Sequence, residues 1–448
     1  MFKKILIANR GEIAVRIIQA CHELNIRTVA IYSEPDYDSL HVRLADEAYC
    51  VGPASPKDSY LNMENILNIA KLTDVDAIHP GYGFLAENEK FAALCERFNI
   101  IFIGPSPEAI HKMGAKDVAR QTMKEAGVPI TPGSDGFVKN FEEALAVAKE
   151  IGFPVIIKAT VGGGGKGIRV AKDEESLKIG LELTEQEAQV SFGNPNVYIE
   201  KFIEDFRHVE IQVLADSNGH TVHLGERDCT IQRRMQKLIE EAPSPAISSE
   251  IREKMGKSAV AAAKAVNYEG AGTVEFIYDA KNDQYYFMEM NTRIQVEHPI
   301  TEMITGIDIV KEQIKIASGL PLAIDQQDIK FDGWAMECRI NAEDPKNDFM
   351  PSPGMITDYI APGGLGVRVD SAAFTGYKIQ PYYDSMIAKL IVHGKDRNDT
   401  ITKMKRALKH YKIEGVKTTI PFFLSLMEDK TFLSGDFHTN FLETFEME

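Results

Sequence analysis

The run Gly162-Gly163-Gly164-Gly165-Lys166-Gly167 constrains the fold more than any other stretch, because of what stands on either side of it. Val155-Ile156-Ile157-Lys158 before it and Ile168-Arg169-Val170 after it both read as strands. A phosphate-binding turn of the Rossmann or Walker kind opens directly into a helix, and a Walker loop needs Ser or Thr where this chain has Gly167. The formal Gly-x-Gly-x-x-Gly match therefore belongs to neither. Five glycines in six positions are also a large entropic burden for an ordinary surface turn. The pattern predicts a mobile glycine-rich hairpin that closes over phosphates with backbone N–H groups as donors.

The segment before this hairpin alternates strands and helices. Ile5–Ala8, Thr28–Ile31 and Ile100–Ile103 are continuous apolar runs, as expected of parallel strands buried on both faces. Met63, Ile66, Leu67 and Ala70 have helical spacing, and Phe91, Leu94, Cys95 and Phe98 repeat it. A doubly wound α/β domain follows. Its first strand-to-helix turn, Asn9-Arg10-Gly11-Glu12, has one glycine, so a dinucleotide fingerprint is absent where it should stand. The loop from His79 to Leu85 falls at the carboxyl edge of that sheet, and Gly104-Pro105-Ser106-Pro107 reads as the hinge out of it.

A second constraint lies at Glu289-Met290-Asn291-Thr292-Arg293-Ile294-Gln295-Val296-Glu297. Read as extended backbone, it places Glu289, Asn291, Arg293, Gln295 and Glu297 on one face. Carboxylate and amide oxygens suit Mg²⁺, and Arg suits a phosphate or bicarbonate oxygen. Glu275 is a lone acid in the apolar strand Thr273–Ile277, where a buried carboxylate needs a cation. With Asp279–Asp283 as the turn, Glu275, Glu289 and Asn291 come together as a two-metal nucleotide site. His208 to Leu214 alternates as a strand, and the run Glu226 to Lys237, with four cations, is expected to be an anion-binding loop. A helix carries Ile307, Val310, Ile314 and Ala317. A polar linker over Asp325–Gly333 leads to a third region, in which Glu337, Arg339 and Asn341 share a face.

A chain of 448 residues is too long for one core, so two or three domains are expected. The formal charge of −16 argues against nucleic-acid or anionic-membrane partners. The five cysteines form no Cys-x-x-Cys pair, which suggests reduced thiols in a cytoplasm and no zinc site. Nothing reads as a signal peptide or a transmembrane span.

Long motifs then make the family legible. Ile7-Ala8-Asn9-Arg10-Gly11-Glu12-Ile13-Ala14, the His79–Leu85 loop, Glu226-Arg227-Asp228-Cys229 with Gln232-Arg233-Arg234, the strip Glu289–Pro299 and the block Glu337–Pro345 resemble the signatures of biotin carboxylases. The resemblance covers essentially the whole chain. It implies an α/β ATP-grasp fold: a Rossmann-like domain (1–114), an ATP-grasp domain (115–330, lid about 131–203) and a C-terminal domain (334–448). The implied reaction is ATP-dependent carboxylation of biotin by bicarbonate through carboxyphosphate, with Mg²⁺ or Mn²⁺. By resemblance, Lys116, Lys158, Gly164 and Gly165 hold ATP phosphates, Glu200, Lys201 and Ile203 flank adenine, and His208 and Gln232 contact the nucleotide. Glu275 and Glu289 with Asn291 hold the metal. Lys237, Arg293, Gln295, Val296 and Glu297 form the bicarbonate pocket, and Glu297 is the base. Arg339 stabilises the biotin enolate, and Tyr82 lines the biotin mouth.

The implied partners are a biotin carboxyl carrier protein, carboxyltransferase subunits and a second copy of the chain. The setting is acetyl-CoA carboxylase in fatty-acid synthesis, with a two-subunit pyruvate or propionyl-CoA carboxylase as the alternative. No biotinyl domain fits before Glu448, and Met404-Lys405 lies in a basic helical stretch, so biotin is expected on a separate carrier. Another ATP-grasp ligase, such as a carbamoyl-phosphate synthase half, would lack the Glu337–Pro345 block. One departure is Met235, where the family commonly carries a polar residue such as His near the nucleotide sugar. Cys229 reads as a structural thiol, and Glu297 as the better base.

Overall fold

The computed structural model describes residues 1–159 and 167–447. The predicted glycine hairpin, with Gly164 and Gly165, therefore lies outside the described residues apart from Gly167. The chain opens with a parallel sheet of β1 (Lys4–Ile7), β2 (Arg27–Ser33), β3 (Glu47–Gly52), β4 (Ala77–His79) and β5 (Ile101–Phe102), in the order β3-β2-β1-β4-β5. Ile5, Leu6 and Ile7 are fully buried, because the helix Gly11–Glu23 covers one face and the helices Met63–Leu72 and Glu89–Arg97 cover the other. Gly11 opens the first of these helices at φ +65°, a left-handed conformation that favours glycine. Asn9 donates to the carbonyls of Pro80 and Tyr82, which ties the two strand-end loops together.

A three-stranded antiparallel sheet comes next, with β6 (Val155–Ala159) between β7 (Ile168–Ala171) and β8 (Val197–Lys201). The helices Phe141–Ile151 and Glu174–Phe192 pack on it and form a small core of their own around Ile157, Leu177 and Ile199.

The largest element is an eight-stranded antiparallel sheet. It comprises β9 (Arg207–Ala215), β10 (Thr221–Arg233), β11 (Gln236–Ala242), β12 (Gly270–Asp279), β13 (Gln284–Asn291), β14 (Trp334–Asn341), β15 (Val367–Ser371) and β16 (Met386–Gly394). Its order is β13-β12-β9-β10-β11-β14-β16-β15. The polar stretch after residue 325 thus does not end the sheet: β14 pairs with β11, and the third region continues the same surface. All nine residues of β9 are buried, so the alternation from His208 to Leu214 does not mark a solvent face. The strand has partners on both sides and the helix Ser249–Ala265 packed against it.

Two local expectations change. The helix expected from Ile307 runs over Ile309–Ala317, because the Asp308 side chain accepts from the Lys311 amide and caps it one residue later. The cationic run Glu226–Lys237 is not a loop but the β10–β11 hairpin, whose two-residue turn is Arg234-Met235. Both turn residues have positive φ, +50° and +64°, as the twist of a tight hairpin demands. No helix among the described residues is long and apolar enough to cross a membrane.

Candidate active site

Register explains why lone charges sit inside apolar strands. Arg227 on β10 faces Glu210 on β9, Glu210 faces Glu275 on β12, and Glu275 faces Glu289 on β13. Four charged residues therefore form one row across four strands. Like charges directly opposite one another are destabilising unless cations intervene. Two do. Arg227, fully buried, donates to Glu210 at 2.5 Å and also to Gln212, Thr301, Thr273 and Gln295. Lys237, at the start of β11, reaches Glu210 at 2.6 Å, Glu275 at 3.0 Å and Glu297 at 2.7 Å. Burial opposes the Lys237 charge, but its acidic neighbours hold it protonated well above the ordinary lysine range.

The strip Glu289–Glu297 is not extended throughout. β13 ends at Asn291, and Arg293, Gln295 and Glu297 come from a bend that leads into the helix His298–Thr305. The bend still delivers the expected side chains, because each is caught by a different partner. Arg293 donates to Glu87 at 2.8 Å and to Asn291 at 3.0 Å. Gln295 accepts from Arg227 and donates to Glu275 at 2.7 Å. The carbonyl of Val296 accepts from Lys389 at 2.9 Å. Glu297 lies between Lys237 and Arg339, the latter at 3.0 Å. Against the burial penalty, Lys237, Arg339 and Arg227 hold the Glu297 carboxyl well below the usual carboxylate range, so it is ionised.

One cleft of about 1720 Å³ collects these residues. Lys116, Lys158, Glu200, Lys201, Ile203, His208, Gln232, Lys237, Glu275, Glu289, Asn291, Arg293, Gln295, Val296, Glu297 and Arg339 all line it. On its far wall Lys158 and Arg120 both pair with Glu200, while the Lys201 ammonium turns away to the carbonyls of Gly152 and Phe153. Gln232 donates to His208 Nδ1 at 2.6 Å, and His208 Nε2 lies 2.7 Å from Glu275 Oε2. Met235 lines the cleft at the hairpin tip and is 77 % exposed.

The donors fit a hard divalent cation. Glu275 and Glu289 are cross-strand neighbours, and the Glu289 carboxylate has no hydrogen-bond or ion-pair partner among the described residues. The Glu289 side chain is open to the cleft, and partial desolvation by the cleft walls, followed by the charge on Glu275, raises its carboxyl, which marks a site short of positive charge. Glu275 itself is held low by Lys237 and His208 despite its burial. Glu210, Cys229 and Glu297 also lie within ligating distance of one another, but the Lys237 ammonium already bridges the two carboxylates. Burial keeps the Cys229 thiol protonated, with its sulfur 3.8 Å from Glu297.

Tyr82 does not line this cleft. It is half-buried, and its hydroxyl donates to Glu12, which faces Lys389 at 3.3 Å. Sequence reasoning missed Glu87, Glu210, Arg227 and Lys389 as members of the site. Lys389 stands as a lone cation in the largely apolar strand Met386–Gly394, the same signal that marked Glu275, whereas Glu210 shares Arg207–Ala215 with Arg207, His208 and Gln212. Glu87 carries no local signal, because its partner Arg293 is 206 residues away.

Family models match three consecutive parts of the chain: "Biotin carboxylase, N-terminal domain" over residues 1–110, "Carbamoyl-phosphate synthase L chain, ATP binding domain" over 115–325, and "Biotin carboxylase C-terminal domain" over 337–444. The chain is 68% identical over 447 residues to biotin carboxylase 1 of Bacillus subtilis (strain 168), covering 100% of this chain and 99% of that protein. It is 55% identical to a pyruvate carboxylase subunit of Methanothermobacter thermautotrophicus, covering 99% and 90%. Among solved structures, it resembles the biotin carboxylase domain dimer of Hydrogenobacter thermophilus 2-oxoglutarate carboxylase in complex with MgADP, ADP and bicarbonate. That match has a TM-score of 0.91 at 55% identity and covers 99% and 97% of the two chains.

Proposed function

The chain belongs to the biotin carboxylase family, and from that premise we propose how its cleft carboxylates biotin with ATP and bicarbonate. The observation that carries the residue assignment is Glu297: an ionised carboxylate on the cleft wall, held between Lys237 and Arg339 and sharing that wall with Arg293 and Gln295. Bicarbonate must lose a proton before it attacks the γ-phosphate, so a carboxylate beside its pocket is required. Glu297 takes that proton. Its two cations make it a weak base at rest. An incoming anion competes for Lys237, and that interaction, once transferred to it, returns basicity to Glu297.

Lys116 and Lys158, with Gly164 and Gly165, hold the phosphates, and His208, Gln232, Glu200, Lys201 and Ile203 surround the nucleoside. Glu275, Glu289 and Asn291 hold Mg²⁺ or Mn²⁺, which when bound neutralises phosphate charge; phosphoryl transfer is otherwise mainly positioning. Lys158 leaves Glu200 for phosphate, an exchange of one anion for another. After carboxyphosphate gives CO₂ and phosphate, the phosphate removes the ureido proton of biotin. Arg339 then stabilises the enolate, as an oxyanion donor does. Tyr82 acts behind this point, through Glu12 and Lys389.

The working units are 1–114, 115–330 with a lid over about 131–203, and 334–448. Biotin comes on a separate carrier protein, with carboxyltransferase subunits completing the enzyme and the chain acting as a homodimer in the cytoplasm. The dimeric Hydrogenobacter domain supports the last assembly. Acetyl-CoA carboxylase is the favoured setting, with a two-subunit pyruvate or propionyl-CoA carboxylase as the alternative. The decisive test incubates purified protein with ATP, Mg²⁺, isotopically labelled bicarbonate and free biotin. Acid-labile label on biotin is expected. ADP release that ignores bicarbonate, or bicarbonate-dependent release with no label on biotin, would overturn the reading.

A further inference from the structure

Behind Arg339, the same sheet carries two acids that the mechanism above does not use. Glu240 on β11 and Glu337 on β14 are directly opposite each other in the ladder and are 1 % and 0 % exposed. Glu337 and Arg339 are two apart on β14, and so share a face. Glu240 Oε1 accepts from Arg339 Nε at 2.6 Å and forms an ion pair with Nη2 at 2.5 Å. Its Oε2, and both oxygens of Glu337, are buried with no hydrogen-bond partner among the described residues. We propose that Glu240 and Glu337 form one buried acid pair sharing a single proton, and that this pair is the positioning device that aims Arg339 at biotin.

The cation supply around the pair decides its charge. Arg339 is divided between Glu240 and Glu297. Lys237, on β11, is taken by Glu210, Glu275 and Glu297. Lys389, on β16 and opposite Arg339, points to the Val296 carbonyl, Glu12 and Asp370. From the helix His298–Thr305, burial keeps His298 neutral, Glu297 at the N-cap position adds negative charge, and Glu302 is paired with Arg16 and Arg368. On β10 the nearby thiol of Cys229 is protonated. Among the described residues, therefore, no cation forms an ion pair with Glu337. A charged carboxylate with neither cation nor donor is not tolerated in a dry interior. A protonated Glu337 needs an acceptor, and the unpartnered Glu240 oxygen stands on the neighbouring strand at the paired position. Burial, reinforced by neighbouring acids, pushes Glu337 well above the usual carboxylate range and Glu240 to about 7, in line with one proton on the pair. The remaining charge on Glu240 fixes the Arg339 guanidinium by two of its nitrogens.

The role given to Arg339 rests on the reading in the preceding section, whereas the shared proton does not, and the test separates them. The infrared difference between wild type and Glu337→Gln at neutral pH should show loss of one protonated-carboxyl carbonyl band. At fixed bicarbonate, the kcat of biotin carboxylation should have an acid limb with a midpoint near the Glu240 value. Glu240→Gln should remove that limb and raise the KM for biotin by about tenfold, the effect of freeing a charged donor. A merely structural role would lower rates without moving the limb. A folded Glu337→Gln that keeps the band overturns the shared proton. An unmoved limb and biotin KM in Glu240→Gln overturn the positioning of Arg339. If Glu337→Gln does not fold, Glu337→Met is measured in its place, and failure of both neutral variants overturns the pair outright.

Discussion

Replacing Lys237 by Gln is the most informative single perturbation of the charged row. The ammonium contacts three carboxylates at 2.6–3.0 Å and its side chain is only 12% exposed. Removing one partner of such a buried cluster typically costs about 3–5 kcal/mol, because the charges left behind are uncompensated. Protonation relieves part of that cost: about 1.4 kcal/mol accompanies each unit of pKa shift, so a rise of roughly two units or more is expected. The sign of the pH dependence follows. In the wild type, Glu275 and Glu297 are depressed. Their stabilisation is present above the unfolded carboxylate value and is lost only as pH falls through the folded values, so they leave stability flat between about pH 5 and 8. In Lys237→Gln, at least one of the three acids is raised instead. Stability from a raised group is present at low pH and lost as pH rises through its folded value. Thermal melts at a series of pH values should therefore show the variant midpoint falling more steeply with rising pH over this window than the wild-type midpoint, whose own raised acids such as Glu240 are common to both proteins. Parallel curves, or a shift corresponding to less than about 1 kcal/mol, would refute the claim that one ammonium neutralises the row.

Other outcomes follow from single contacts. Glu87→Gln weakens the hold on Arg293 at 2.8 Å, and should raise the bicarbonate KM by roughly tenfold or less, given that Glu87 is partly exposed; an unchanged KM would show that Arg293 needs no such anchor. Met235→His adds a polar group at the exposed hairpin tip, at a positive φ that His tolerates better than Met. One hydrogen bond of about 0.5–1.5 kcal/mol should tighten ATP binding several-fold by calorimetry, with the bicarbonate KM unmoved. Equal or weaker ATP affinity would refute it.

How much of this was legible in the sequence varies from residue to residue. The apolar runs of β1 and β2 and the lone Glu275 could be read directly, because burial on both faces leaves a continuous signal and a buried charge interrupts it. Glu210 is hidden because its strand also carries Arg207, His208 and Gln212, while Lys389 interrupts a largely apolar strand as Glu275 does, and its partners Glu12 and Val296 are far away in sequence. The bend after Asn291 was invisible for a different reason. Alternating residues satisfy an extended reading equally well, and only the partners Glu87, Arg227 and Lys237, all far away in sequence, pull Arg293, Gln295 and Glu297 out of the strand. The cationic run Glu226–Lys237 reads as a loop because its charges mix, yet Arg227 and Lys237 are spent on buried acids and Arg233 and Arg234 on Asp348. Tyr82 is assigned by resemblance alone, and its hydroxyl is taken by Glu12.

The central claim is that Glu297 acts before carboxyphosphate forms and Arg339 after it. The most direct test is the ratio of carboxybiotin formed to ADP released, measured side by side for Arg339→Met and Glu297→Gln. Loss of one oxyanion donor costs about 10²–10³ in rate. Arg339→Met should therefore lose carboxybiotin formation by roughly that factor while keeping much of its bicarbonate-dependent ADP release, so its ratio collapses. Glu297→Gln should lose both products together, because bicarbonate keeps its proton. If Arg339→Met abolished ADP release as completely as Glu297→Gln, Arg339 would belong to the bicarbonate or phosphate step and the division of labour would be wrong.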